Sequence, residues 1–127
     1  MKKVLILHTG GTIGMAPHQK GLKPIDIGDL FLRSVPEISR LARVEIEIVD
    51  NIDSSQVTPK HWGRWLQTLK KNFNLFDGFL ITHGTDTMAY SGAAFSYALG
   101  TLNKPVVFTG SQRPLLQLAY SGCPEHS

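Results

Sequence analysis

The stretch that decides the fold is Phe79–Gly100, "FLITHGTDTMAYSGAAFSYALG". It opens on a continuous apolar run, Phe79–Thr82, the pattern of a parallel strand covered on both faces. "THGTDT" (Thr82–Thr87) then crowds hydroxyls, a histidine and a carboxylate into a turn. From about Thr87 to Leu99 the spacing predicts a helix, with Gly100 as its C-cap. Ala89, Gly92, Ala93, Ala94 and Ala98 carry little bulk, so this helix is expected to lie close against a sheet. Soon after it comes a second apolar run, "VVFT" (Val106–Thr109). Strand, helix and strand in that order point to a parallel sheet.

The rest of the chain extends the pattern. "VLIL" (Val4–Leu7) is another continuous run, whereas "VEIEIV" (Val44–Val49) alternates, with Glu45 and Glu47 on one face. The alternation predicts a half-exposed strand near a sheet edge. Thr58-Pro59 is a helix start, and Trp62, Trp65, Leu66, Leu69 and Phe73 follow at helical spacing. Lys70 and Lys71 fall in the last turn, where cations complement the helix dipole. A shorter helix is predicted from Ile27 to Ser34, ending before Val35-Pro36. "MAPHQKGLKP" (Met15–Pro24), polar and interrupted by two prolines and a glycine, reads as a mobile loop or short hairpin. The fold class is α/β, a mainly parallel sheet with flanking helices.

With 127 residues, 42% apolar and 18% charged, the chain suits one ordinary globular domain. Its net charge of +3 is scattered, with no basic stripe interleaved with aromatics, which argues against nucleic-acid binding. The single cysteine, Cys123, forms no internal disulfide and fits a reducing compartment. The apolar run after Met1-Lys2-Lys3 stops at His8, short of the roughly 7–15 residues of a secretory core. No segment approaches the roughly 20 apolar residues of a membrane span. The expectation is a cytoplasmic protein with no nucleic-acid and no membrane partner.

In open parallel sheets, ligands bind beyond the carboxyl ends of the strands. Here those ends are followed by "HTGGTIG", "DNIDSS", "THGTDT" and "TGSQR". The clusters offer Thr9, Thr12, Ser54, Ser55, Thr85, Asp86, Thr87, Thr109 and Ser111. One such cluster is ordinary turn and cap chemistry, but four in succession point to a site. The glycines at 10, 11 and 14 lack dinucleotide-fingerprint spacing, and no Gly-Lys-Ser/Thr phosphate loop or Gly-x-Ser-x-Gly elbow is present. The histidines (His8, His18, His61, His83, His126) show no metal-ligand spacing, so no metal is expected. His83 reads as a turn or site-wall residue rather than a ligand or base.

Thr12, after two glycines, is placed either to act as a nucleophile beside exposed N–H groups or merely to satisfy turn backbone. Thr85 and Asp86 either cap the following helix or face a substrate, with Asp86 a natural partner for an ammonium group. Ser54 and Ser55 either hydrogen-bond a substrate carboxylate or cap the turn before Pro59.

Together, "TGGTIGM", "DSSQVTP", "DGFLITHGTDTMAYSG" and "KPVVFTGSQRPL" resemble the type I, bacterial cytoplasmic L-asparaginases, over about the first 115 residues. The resemblance implies hydrolysis of L-asparagine to L-aspartate and ammonia with no cofactor or metal. It implies Thr12 as nucleophile, with Thr85 and Asp86 in a second catalytic group that a lysine completes. Substrate binding would fall to Gly11, Ser54, Ser55, Gly84, Thr85 and Asp86. It further implies a larger α/β domain followed by a smaller one, and a homo-oligomer in which neighbours complete each site.

Two departures from the family pattern stand out. The loop tyrosine that activates the nucleophile in such enzymes aligns with Leu22 in "GLKP", which has no hydroxyl to relay a proton. Residues 116–127, "LQLAYSGCPEHS", read as a divergent tail after an incomplete domain at 1–115, and the family's catalytic lysine is not reached. An impaired amidohydrolase is therefore the first expectation, and a non-catalytic amino-acid-binding or dimerisation fragment the alternative. A component of a tRNA-dependent amidotransferase is disfavoured, because "VLILHTGGT" begins at the fourth residue with no additional domain before it.

Overall fold

The computed structural model describes residues 1–11, 29 and 31–111. The expectations for Thr12, for the Met15–Pro24 loop with Leu22, and for the tail lie outside those residues. Four strands form one parallel sheet: β1 (Lys3–Gly10), β2 (Arg43–Ile52), β3 (Gly78–Thr82) and β4 (Val106–Thr109), in the order β2-β1-β3-β4. Among the described residues, helices α1 (Ile38–Leu41), α2 (Pro59–Asn72) and α3 (Met88–Leu99) accompany them. A 3-10 turn covers Ser54–Gln56, and helical backbone at residues 29 and 31–34 is the described part of the helix expected to end at Ser34. The four-residue α1 has no apolar periodicity long enough to have announced it.

The register shows how the apolar runs are used. Leu5 and Leu7 stand beside Phe79 and Ile81 across the β1–β3 pair, and Ile81 stands beside Phe108 across β3–β4. These side chains share a face with Trp65 and Leu69 of α2 and Phe95 of α3 in one buried cluster. Ile6, Thr82 and His8, on the alternate positions, are also buried, which is why the runs read as continuous rather than alternating. β2 lies at the edge and keeps its alternation, with Glu45 and Glu47 exposed.

The helices carry local signals that can be read atom by atom. Before Pro59, the Thr58 N–H donates to His61 Nδ1 at 2.9 Å, so a histidine takes the place of the usual glutamate in the capping box. Asp50 of β2 fixes α2 from the side: it accepts Trp65 Nε1–H at 2.6 Å and Arg64 Nη2 at 3.0 Å. In α3 the structure corrects the expected packing. Ala89, Ala93 and Ala98 face outward, and the helix meets the sheet through Phe95 and Ser91. Phe95 is bulky, but its ring fits edge-on against Phe108 at 5.1 Å, so the small residues are not needed at the contact.

This strand order has a functional consequence. From β1 the chain steps to one side, and from β2 it crosses back to β3 and continues to β4. Right-handed connections then place α2 and α3 on one face and α1, which precedes β2, on the other. The sense of winding reverses between β1 and β3. Beyond the carboxyl ends of the strands, such a switch point is where open parallel sheets bind their ligands.

Candidate active site

The loops that leave β1 and β3 meet at this reversal, and glycine makes the meeting possible. Gly11 has φ +85°, and a Cβ there would lie 2.6 Å from Gly84 N and 2.7 Å from Gly84 Cα. A Cβ on Gly84 would in turn lie 2.6 Å from Ser54 Cβ and 2.7 Å from Ser54 Oγ. Three loop starts, after β1, β2 and β3, therefore stack closely, Gly11 on the Gly84 backbone and Gly84 on the Ser54 side chain. The end of β4 joins them where the His83 N–H donates to the Thr109 carbonyl at 2.9 Å. Gly11 is the last described residue before Thr12, which follows it in the sequence and lies outside the described residues.

Around the stack, several hydroxyls are already committed. Thr9 Oγ1 donates to the Thr82 carbonyl at 2.8 Å, and Thr87 Oγ1 donates to the Ser54 carbonyl at 2.7 Å. The first ties the ends of β1 and β3 together, and the second ties the start of α3 to the turn after β2. Ser55 donates from both N and Oγ to Asp53 Oδ1, each at 2.9 Å, which caps the 3-10 turn. Those two bonds hold the Asp53 carboxyl below its ordinary pKa. Ser54 is buried beneath Gly84, Ser55 and Asp86 are exposed, and Thr85 is half-buried between them. The N-cap of α3 is Thr87, so neither Thr85 nor Asp86 occupies the capping position.

Two buried histidines flank the stack. His83 Nδ1 lies 2.6 Å from the Gly84 carbonyl oxygen, which can only accept, so Nδ1 carries the proton. In the neutral ring Nε2 is then an acceptor, and it lies 2.8 Å from Ser91 Oγ. Ser91 Oγ also accepts the Trp62 indole N–H at 2.8 Å. The hydrogen bonds thus run in one sense, from Trp62 to Ser91 to His83 to Gly84. Burial lowers the His83 pKa, partly opposed by the bond to Gly84. His8 Nδ1 lies 2.7 Å from Thr82 Oγ1, while its Nε2 has no hydrogen-bond partner among the described residues. Burial pushes the His8 pKa down to about 4.

No group of histidine, cysteine, aspartate or glutamate side chains able to hold a metal occurs among the described residues. No helix among them is long and apolar enough to cross a membrane. Sequence reasoning singled out His83 as a wall residue but missed Ser91 and Trp62. The usable signal was a serine one helical turn before Phe95, on the buried face of α3.

The asparaginase N-terminal family model matches residues 3–124. The chain belongs to the asparaginase family. Escherichia coli K12 L-asparaginase 1 is 40% identical over 126 residues, which cover 95% of this chain and 37% of that protein. The crystal structure of L-asparaginase I from Vibrio cholerae superposes with a TM-score of 0.81 at 40% identity, covering 92% of this chain and 35% of that one. The thermostable L-asparaginase from Thermococcus kodakarensis superposes with a TM-score of 0.73 at 36% identity, covering 89% of this chain and 35% of that one. The chain thus spans little more than a third of the length of the asparaginases it matches, and its parallel sheet with flanking helices is the architecture they share.

Proposed function

We propose that this chain supplies the amino-terminal wall of an amidohydrolase site that converts L-asparagine to L-aspartate and ammonia. The observation that carries the reading is the stacking of Gly11, Gly84 and Ser54 at the switch point, in a chain of the asparaginase family. Thr12 is the nucleophile. Its oxygen adds to the side-chain amide carbon, its proton passes to the departing nitrogen, and ammonia leaves an acyl-enzyme that water hydrolyses. Asp86 pairs with the substrate ammonium, and Thr85 belongs to the second catalytic group. Gly11 and Gly84 allow the substrate to approach backbone N–H groups. Ser54 and Ser55 serve the substrate carboxylate, with Ser55 turning its hydroxyl away from Asp53 to do so. The working enzyme is a homo-oligomer acting in the cytoplasm on a small-molecule substrate, without metal or cofactor.

A threonine hydroxyl is a weak nucleophile at neutral pH and needs a base within hydrogen-bond reach. Leu22 cannot provide one, and loss of acid–base assistance costs about 10²–10⁴-fold in rate. That substitution favours a second reading, in which the chain binds the amino acid without turning it over. Ammonia release from asparagine, measured beside calorimetric titration with L-aspartate, separates the two. Turnover that disappears in Thr12→Ala supports hydrolysis, and binding without turnover supports the second reading. Neither binding nor turnover removes both.

A further inference from the structure

We propose that His83 is a positioning residue, held in one neutral tautomer by Ser91 and Trp62, and that this relay fixes the Gly84 carbonyl and with it the side chains of Thr85 and Asp86. Its place at a substrate site rests on the asparaginase reading above; the relay itself rests on the geometry. Three elements converge on one imidazole. Trp62 comes from α2, Ser91 from the first turns of α3, and Gly84 from the loop between β3 and α3. The ring is also confined edge-on by Trp65, with centroids 5.6 Å apart at 89°, and by Phe108 at 6.0 Å.

Each donor in the chain has one acceptor, so the sense of the bonds is fixed. An indole N–H cannot accept and a carbonyl cannot donate, which leaves Ser91 to donate to His83 Nε2. Both ring nitrogens are thereby used inside the protein, and His83 has no free atom for proton transfer to a substrate. Its effect reaches the site through the peptide that follows it. The Gly84 carbonyl is fixed from the histidine side while the Cα of Gly84 is wedged between Gly11 and Ser54. A peptide held at both ends leaves the next two residues, Thr85 and Asp86, little backbone freedom. Removing the Ser91 hydroxyl would strand two groups at once, the buried His83 Nε2 and the half-buried Trp62 N–H.

The test begins with long-range proton–nitrogen spectra of the chain carrying ¹⁵N-labelled histidine, with His83→Gln identifying the signal. The expected spectrum at pH 7 has the proton on Nδ1 and a bare Nε2; a proton on Nε2 overturns the relay. In Ser91→Ala, amide exchange at Thr85 and Asp86 is expected to rise about tenfold, with Ser91→Thr restoring protection. Trp62→Phe, which removes only the N–H donor from the relay, gives a smaller rise. Unchanged exchange in folded Ser91→Ala overturns the proposal, and if that variant does not fold, the tautomer and Trp62→Phe decide. Titration with L-aspartate is expected to weaken about tenfold in Ser91→Ala and to recover in Ser91→Thr. If the unaltered chain binds no aspartate while tautomer and exchange behave as stated, the asparaginase reading falls and the relay stands.

Discussion

Gly84 and Ser54 approach so closely that the Cβ glycine lacks would sit 2.6 Å from the Cβ of the serine. Ser54 is buried and its Cβ is fixed to its own backbone, so it cannot swing aside as the tip of a long side chain would. Gly84→Ala should therefore destabilise the chain by about 1–3 kcal/mol, the usual cost of overpacking. The double variant Gly84→Ala with Ser54→Gly should recover more than half of that loss in urea unfolding. A double variant no more stable than the single one would mean that the Ser54 side chain is not the source of the strain.

Asp50 holds two groups of α2, and the two are not equal. The Trp65 indole is wholly buried, while Arg64 is largely exposed. An exposed ion pair contributes about 0–1 kcal/mol, whereas a buried donor left unsatisfied costs about 1–3 kcal/mol. Asp50→Ala should thus lower stability by about 1–3 kcal/mol and Arg64→Ala by less than about 1 kcal/mol. Equal losses in the two variants would contradict the dominance of the indole bond.

Much of this was legible because each signal was local. The continuous apolar runs at Val4–Leu7 and Phe79–Thr82 identified the two central strands, covered on both faces, and Glu45 and Glu47 marked β2 as an edge strand. Val106–Thr109 has the same pattern, yet β4 is the other edge of the sheet and leaves Val107 50% exposed. Sequence spacing could not tell which face of α3 meets the sheet. Alanine is compatible with both solvent and a close contact, so Phe95 and Ser91 decided the matter only in three dimensions. The hydroxyl clusters were likewise visible, but not their division of labour. Thr9 and Thr87 look as reactive as Thr85 in the sequence, yet their hydroxyls are spent on the Thr82 and Ser54 carbonyls that the sheet brings near. The relay through Ser91 joins residues from two helices and a loop, and no spacing rule connects them.

The buried neutral state of His8 makes stability depend on pH. Its pKa falls from 6.5 to about 4 on folding, so between those values the unfolded chain binds the extra proton. The resulting stability is fully present above about pH 6.5 and is lost as pH falls toward 4. The loss should amount to about 3 kcal/mol at 1.36 kcal/mol per pKa unit. His83 contributes in the same direction, and comparing the chain with His8→Leu cancels that part. Urea unfolding at pH 7 and pH 4 should show a drop smaller by about 3 kcal/mol in His8→Leu. Parallel drops in the two chains would show that His8 is hydrated or partnered when protonated.

Asp86 offers the cleanest separation of binding from folding. It is exposed, and replacing an exposed side chain away from caps and cores changes stability by about 0.5 kcal/mol at most. Its proposed role is different in kind, that of facing the ammonium group of the bound amino acid at the switch point. Hydrogen bonds to charged groups contribute about 1.5–3 kcal/mol, which corresponds to a factor of about 10–100 in affinity. Asp86→Asn should then weaken L-aspartate binding by that factor while its urea midpoint stays put. Succinate, which keeps both carboxylates and lacks the ammonium, should bind the unaltered chain and Asp86→Asn with similar affinity. If Asp86→Asn weakens succinate as much as aspartate, the side chain shapes the loop rather than contacting the ammonium, and the substrate orientation proposed for this site is wrong.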